Sequence, residues 1–251
     1  MTPPLQGVHV LVTRSKDQAQ TLSEKIISVG GVPIETPLLT YVAYESGEEK
    51  KLLELEKYDW IFFASVNGVA YFFEKLDGNI RIPCKIGVVG ERTKEAVEQY
   101  GHEVHFIPTQ YTALAFAKEF SSYFSSQSIL LVQGNLSRPT LQKSLINKGH
   151  NVQNFVVYKT EVNHDIKDTL KDILTEKKVD VLTFTSPSTI QAFYQLGGSI
   201  VEAYKSVLTV CIGPTTAEEA EKCGFKNILT PKIHTVDGII NELENHYKNR
   251  M

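Results

Sequence analysis

Short apolar runs alternate along the whole chain with longer stretches in which hydrophobic residues recur every three or four positions. The runs at residues 8–13, 60–64, 85–89, 104–107, 129–132, 181–185, 208–212 and 227–229 are nearly continuous in Val, Ile, Leu and Phe, the pattern of strands buried on both faces. Residues 17–29, 68–76, 92–100, 139–148, 189–196 and 216–222 have the helical period instead. Such alternation predicts an α/β fold built on open parallel sheets of the flavodoxin-like kind. The charged run ESGEEKKLLELEK reads as the solvated face of an amphipathic helix, with Leu52, Leu53 and Leu55 turned inward.

The pattern repeats. DWIFFASVNGVAYFFEKL followed by KIGVVGERTKEAVEQYGHEVHFIPTQYT lines up with DVLTFTSPSTIQAFYQL followed by TVCIGPTTAEEAEKCGFKNILTPKIHT. Ser65 and Ser186 lie 121 positions apart. Gly90 and Gly213, Thr93 and Thr216, Gly101 and Gly224, Pro108 and Pro231, and Thr112 and Thr235 are each 123 apart. Upstream, VHVLVTR matches SILLVQG, with Val12 and Val132 separated by 120. One α/β unit therefore occurs twice.

After the first helix of each copy the chain is extended and rich in β-branched residues, GGVPIETPLLTYVAY in one and GHNVQNFVVYKTEV in the other. If each stretch is a crossover, residues 1–36 and 163–251 form one discontinuous domain and 42–157 the other. Residues 37–41 and 158–162 then make a two-stranded ladder between them, and a cleft between the repeated domains is the expected ligand site. A simple split near residue 125 fits the same pattern.

Composition narrows the function. Lys plus Arg is 26 against 29 Asp plus Glu, a formal charge of −3, so no global positive field holds nucleic acid or an anionic membrane. Cys84, Cys211 and Cys223 have no close pair, which argues against a disulfide framework and a zinc site and for a reducing compartment. No basic leader and no apolar stretch of about 20 residues is present, so a cytoplasmic protein is expected. His102 and His105, three apart on a strand-like stretch, point to opposite faces and serve structure rather than a metal. Cys211, mid-strand, reads as a small core residue. The dinucleotide, phosphate-loop and nucleophile-elbow motifs are missing.

In open α/β sheets, ligands sit beyond the carboxyl ends of the strands. The strand-to-helix turns here are rich in hydroxyl, amide and Gly residues: Thr13 and Arg14, Ser65 and Asn67, Gly90 and Thr93, Gly134 and Asn135, Thr185, Ser186 and Ser188, and Gly213, Thr215 and Thr216. Free N–H groups at helix starts bind carboxylates or phosphates without many cationic side chains. The same residue types are ordinary helix caps, so both roles stay open for each. Tyr158 stands apart, on the return crossover. A phenol, with a pKa near ~10, donates a hydrogen bond or proton at neutral pH without ionising.

VLVTR (10–14), SVNGV (65–69), GVVGERT (87–93), VVYKT (156–160), FTSPSTIQAF (184–193) and CIGPTTAEEA (211–220), in this order over nearly the whole chain, resemble uroporphyrinogen-III synthase. The resemblance implies two α/β domains joined by a two-stranded ladder and a cofactor-free, metal-free reaction of tetrapyrrole and haem synthesis. In it the linear tetrapyrrole hydroxymethylbilane loses its terminal hydroxyl as water, closes at the substituted carbon of ring D through a spiro intermediate, and rearranges to uroporphyrinogen III with ring D inverted. It also implies that Tyr158 assists departure of the hydroxyl, and that Thr13, Arg14, Ser65, Asn67, Gly90, Thr93, Gly134, Thr185, Ser186, Ser188, Gly213, Thr215 and Thr216 contact the substrate. Where relatives often have Arg before the glycine after the fifth strand, this chain has Gln133 before Gly134. The expected partner is that small polycarboxylate, with no nucleic acid or membrane and a monomeric chain. A non-catalytic two-domain module for a small anion and a flavin-binding redox protein are the rival readings.

Overall fold

The computed structural model describes residues 3–76, 82–176 and 178–248, and the chain divides into two compact units. The first takes the chain up to Thr40 and again from Glu161 onward; the second is Tyr41–Thr160.

In the first unit β1 (His9–Val12), α1 (Lys16–Ser28) and β2 (Val32–Glu35) come from the amino-terminal stretch. α6 (Lys167–Thr175), β8 (Val181–Phe184), α7 (Pro187–Gly197), β9 (Leu208–Cys211), α8 (Pro214–Lys222), β10 (Ile228–Leu229) and α9 (Val236–Lys248) come from the return. The sheet order is β10-β9-β8-β1-β2, every pair parallel. Alternate strand residues reach opposite faces. Leu11, Leu182, Phe184 and Cys211 pack with Leu170, Ile190 and Phe193 on one side. Val10, Val12, Val181 and Val210 pack with Leu22, Ile26, Ile239 and Leu243 on the other. Strands covered on both faces are predominantly apolar, and that is why their sequences read as nearly continuous runs; the buried Thr183 satisfies its hydroxyl by donating to the Leu11 carbonyl.

The second unit runs β3 (Leu39–Ala43), β4 (Trp60–Phe63), α2 (Val66–Lys75), β5 (Lys85–Val88), α3 (Glu91–Gln99), α4 (Ala113–Tyr123), β6 (Ser128–Gly134), α5 (Thr140–Asn147) and β7 (Asn151–Val162). Its sheet is ordered β3-β7-β6-β4-β5. Ile61, Phe63, Leu130, Val132 and Phe155 meet Val69 and Phe72 on one face. Trp60, Phe62, Ile129 and Leu131 meet Phe116, Phe120 and Leu145 on the other. The chain passes between the units at Thr40/Tyr41 and at Thr160/Glu161, within β3 and β7. Tyr158 lies on β7, the strand along which the chain crosses back, on the second unit's side of the crossing.

Three local expectations change. The charged run forms a 3-10 stretch, Glu49–Lys57, broken at Glu54 (φ −125°). Leu52 and Leu55 are buried there, but Leu53 is 75% exposed: three residues per turn cannot keep three leucines of the same run on one face. Residues 104–107 form an isolated bridge from Phe106 to Gly87 rather than a strand. α4, α6 and α9 lie outside the helical stretches singled out from the sequence. The repeated glycines Gly101 and Gly224 end α3 and α8 with φ of +80° and +84°, a conformation glycine adopts without strain. That pair is part of the fold, not of a site.

Candidate functional site

The strand orders place the crevices. In the second unit the chain leaves β4 through α2 to β5 on one side, and leaves β6 through α5 to β7 on the other. Neighbouring connections therefore diverge between β4 and β6, and such a divergence opens a crevice beyond the carboxyl ends of the two strands. In the first unit the divergence falls between β1, which leads to β2, and β8, which leads to β9.

At the β4/β6 divergence, Ser65, Gly134 and Tyr158 come together. Ser65 caps α2, its Oγ accepting the Gly68 N–H at 3.1 Å, and the same oxygen lies 3.3 Å from the Tyr158 hydroxyl. β7 pairs with β6 as Gln133 to Val156 and then Gly134 to Tyr158, a register shift that sets the phenol against Gly134. A Cβ at Gly134 would fall 2.4 Å from Tyr158 Cζ, so any side chain there would evict the ring. Tyr41 meets the phenol edge-on at 5.7 Å and Tyr71 stacks on it at 5.5 Å, while the Tyr71 hydroxyl donates to the Tyr41 carbonyl. Only 8% of Tyr158 is exposed. Burial pushes its phenol up from the usual value; the Ser65 hydrogen bond opposes that rise and Tyr41 adds to it. The phenol is thus a neutral donor at physiological pH. Asn135, in the next turn, receives the Thr160 N–H on Oδ1 and donates its own N–H to the Tyr158 carbonyl. Tyr41, on β3, and Tyr71, on α2, carried no motif, and no local pattern singled them out.

At the first unit's divergence the hydroxyls serve the sheet. Thr13 is fully buried and donates to the Thr183 carbonyl at 2.6 Å, and Thr183 donates to the Leu11 carbonyl at 2.7 Å. Arg14, half-buried, donates to Gln18. Ser186 caps α7 through the Thr189 N–H and touches Ser188 Oγ at 2.9 Å; Thr185 is half-buried beside it. Gly90 and Gly213 begin α3 and α8, with Thr93 and Thr216 buried in the first turns and Thr215 exposed. Asn67 is half-buried at the start of α2. The structure gives each helix start its own place and brings Ser65, Gly134 and Tyr158 into one.

The chemistry left to this arrangement is donation. α1, α2, α3, α5, α7 and α8 each begin at the carboxyl end of a strand, presenting free N–H groups and a positive dipole end to anions. The arginines among the described residues, Arg14, Arg92 and Arg138, all lie in these turns or first turns, where the guanidinium fork suits carboxylates. Burial pushes the Cys84 thiol up to about 11 and that of Cys211 to about 12, too high for a nucleophile at neutral pH. Among the described residues no group of three or more His, Cys, Asp or Glu side chains is placed to hold a metal ion, and no helix is long and apolar enough to cross a membrane.

Residues 20–241 match the family model described as uroporphyrinogen-III synthase HemD. A putative uroporphyrinogen-III synthase of Methanocaldococcus jannaschii is 30% identical over 241 residues, covering 93% of this chain and 96% of that protein. The porphyrin biosynthesis protein HemD of Ruminiclostridium josui is 28% identical over 254 residues, 97% of this chain; the chain spans about half of that relative, 49% of its length. Among solved structures, the fold is similar to uroporphyrinogen-III synthetase of Helicobacter pylori (TM-score 0.64, 17% identity, covering 94% of this chain and 97% of that one). It is also similar to a mutant uroporphyrinogen III synthase of Thermus thermophilus (TM-score 0.60, 15% identity, covering 98% and 100%).

Proposed function

Because the chain belongs to the uroporphyrinogen-III synthase family, we propose that it closes hydroxymethylbilane to uroporphyrinogen III, eliminating water and inverting ring D. In reaction class it is then a cyclising hydro-lyase, acting in the cytoplasm as a monomer, with no cofactor and a small polycarboxylate as its partner. The observation that carries this reading is the Tyr158 phenol, kept neutral by burial and held beside Ser65 and Gly134 at the β4/β6 divergence. A neutral phenol is the donor that a departing hydroxyl needs.

The substrate carries eight carboxylates. A helix start typically stabilises a nearby anion by about 0.3–1 kcal/mol at an exposed position and up to about 2 when partly buried. Several such starts together hold a polycarboxylate firmly, and Arg14, Arg92 and Arg138 add charge-assisted bonds in the same turns. Substrate contacts are accordingly assigned to Thr13 and Arg14, Ser65 and Asn67, Gly90 and Thr93, Gly134, Thr185, Ser186 and Ser188, and Gly213, Thr215 and Thr216. For Thr13, Thr93 and Thr216, whose side chains are buried, the contact is through the backbone. Holding a flexible tetrapyrrole in one folded pose lowers the barrier to the congested closure, by up to roughly 7–11 kcal/mol in ideal intramolecular cases, so few acid or base groups suffice.

The two units are read as domains joined by strands β3 and β7. Supporting this, the Tyr44 N–H bonds the Val157 carbonyl and the Asn163 N–H bonds the Leu38 carbonyl. One index rises as the other falls, so the strands pair antiparallel. The test of function is to supply freshly generated hydroxymethylbilane and determine the isomers of the oxidised products. The type III isomer is expected in excess; a type I profile identical to that without protein would overturn the assignment.

A further inference from the structure

The cap of α2 does more than start a helix. Ser65 Oγ accepts the Gly68 N–H at 3.1 Å and lies 3.3 Å from the Tyr158 hydroxyl. A serine oxygen has one proton to give, and here the oxygen is polarised by the positive end of a ten-residue helix. We propose that Ser65 is a positioning residue for the acid step: it donates its proton to the Tyr158 oxygen, leaves the phenol O–H free for the substrate, and holds the phenolate that proton transfer creates. This rests on the reading of Tyr158 as the acid.

The other half of the molecule separates this role from capping. Ser186, the repeat counterpart of Ser65, caps α7 through the Thr189 N–H, but its Oγ meets Ser188. The strand position that matches Tyr158, 120 residues earlier, is the buried Leu38. Helix initiation therefore accounts for a serine in both units, while the contact with a phenol is an addition made in one. The addition is well fixed. Tyr71 and Tyr41 pack on the ring, and the missing side chain of Gly134 lets the phenol lie where a Cβ would stand 2.8 Å from its oxygen.

The step balances without a co-reactant. The Tyr158 O–H bond and the carbon–oxygen bond of the hydroxymethyl group break, the proton and the departing hydroxyl form water, and the pyrrole nitrogen supplies the electron pair that fills the exocyclic carbon. Ser65 donates to the resulting phenolate. The proton that ring D sheds after the last bond closes restores the phenol. Of the influences on that phenol, burial weakens it as an acid and the Ser65 bond strengthens it, as a donor to the charged form must.

Three variants decide the matter. Ser65→Ala removes both cap and donor. Ser65→Asp keeps an N-cap acceptor next to a helix dipole but has no proton to give, and Ser65→Thr keeps both. For each, turnover of hydroxymethylbilane is measured beside the melting temperature and the ultraviolet difference titration of tyrosinate against Tyr158→Phe. We expect turnover to fall about tenfold or more in Ser65→Ala and at least as far in Ser65→Asp despite its retained melting temperature, and Ser65→Thr to stay within about threefold of the parent. The Tyr158 ionisation should move up in Ser65→Ala. Parental turnover in Ser65→Asp, or an unmoved Tyr158 titration in Ser65→Ala, would reduce Ser65 to a cap and overturn the proposal. Parental turnover in Tyr158→Phe would instead overturn the acid reading beneath it.

Discussion

The two divergence points are repeats of one design used for different ends. In both, the first strand pairs with the next in the same register, Val12 with Glu35 and Val132 with Phe155. Past that point the residues part company. The first unit has Thr13, Arg14 and Leu38 where the second has Gln133, Gly134 and Tyr158. It laces its strands with two buried threonine hydroxyls, where the second unit has Phe62 in the place of Thr183. One unit thereby has interior strands cross-linked by threonine hydroxyls, with a cation at the turn, and the other has a glycine in the cation's place that admits a phenol. Duplication supplied two equivalent sets of helix starts, and a few substitutions at one switch point supplied the buried phenol on which the proposed acid step depends.

The largest effect should come from removing one oxygen. Tyr158→Phe keeps the ring between Tyr41 and Tyr71, and the bond it loses, at 3.3 Å to a part-buried serine, contributes on the order of 1 kcal/mol of stability. General acids contribute about 10²–10⁴ in rate, so turnover should fall at least about 10²-fold with little change in melting temperature. Retained turnover would make the two divergence points functionally alike and break the contrast.

Next is Gly134→Ala, which adds a carbon 2.4 Å from Tyr158 Cζ. Overpacking of this kind costs about 1–3 kcal/mol, and a displaced phenol loses its alignment, so turnover should drop about tenfold or more along with the lower melting temperature. Alanine at the matching Arg14 removes atoms instead of adding them, so the steric cost belongs to the second unit alone. A Gly134→Ala protein with parental melting temperature and turnover would show that close approach does not hold the phenol in place.

The sequence displays the common frame more openly than this difference. Strands buried on both faces leave continuous apolar runs, and duplication doubles every signal, so β4, β6, β8 and β9 were legible within a residue or two at most points. The Ser65 and Ser186 caps stood out for the same reason. Tyr158 was visible as an isolated phenol, but its surroundings were not. The register shift between Gln133 and Gly134 and the packing of Tyr41 and Tyr71 depend on contacts far apart in sequence, which no local pattern encodes. Thr13 shows the opposite limit: no local pattern tells that its hydroxyl is engaged by the Thr183 carbonyl, 170 positions away. Leu53 misled through the period itself, since a 3-10 stretch and an α-helix share the same leucine-rich composition.

The smallest expected effect is absent at neutral pH and appears on acidification. His150 is 4% exposed. Its Nδ1 accepts the Gln127 N–H at 3.2 Å, so the proton sits on Nε2, 3.0 Å from Ser121 Oγ, and Ser121 in turn donates to the Ala117 carbonyl. A protonated ring would set its own N–H against that of Gln127. Burial, with Lys148 nearby, pulls the imidazole below its usual value. The unfolded chain then binds the proton first: the contribution is fully present above about pH 6.5 and is lost as pH falls through the lower folded value. In the first unit Gly31 makes the same turn bond, N–H to the Ile26 carbonyl, that His150 makes to Leu145, and it has nothing to protonate. Acid should therefore loosen the second unit before the first. The single tryptophan of the chain, Trp60, packs on Phe120 at 5.0 Å, beneath the same ring that His150 covers at 5.2 Å, so its fluorescence reports that unit alone while far-ultraviolet circular dichroism reports both. On lowering pH the fluorescence transition should precede the dichroism transition, and His150→Gln, whose amide can accept from Gln127 without titrating, should bring the two together at lower pH. Coincident transitions in the parent chain would mean that the two units share one acid response.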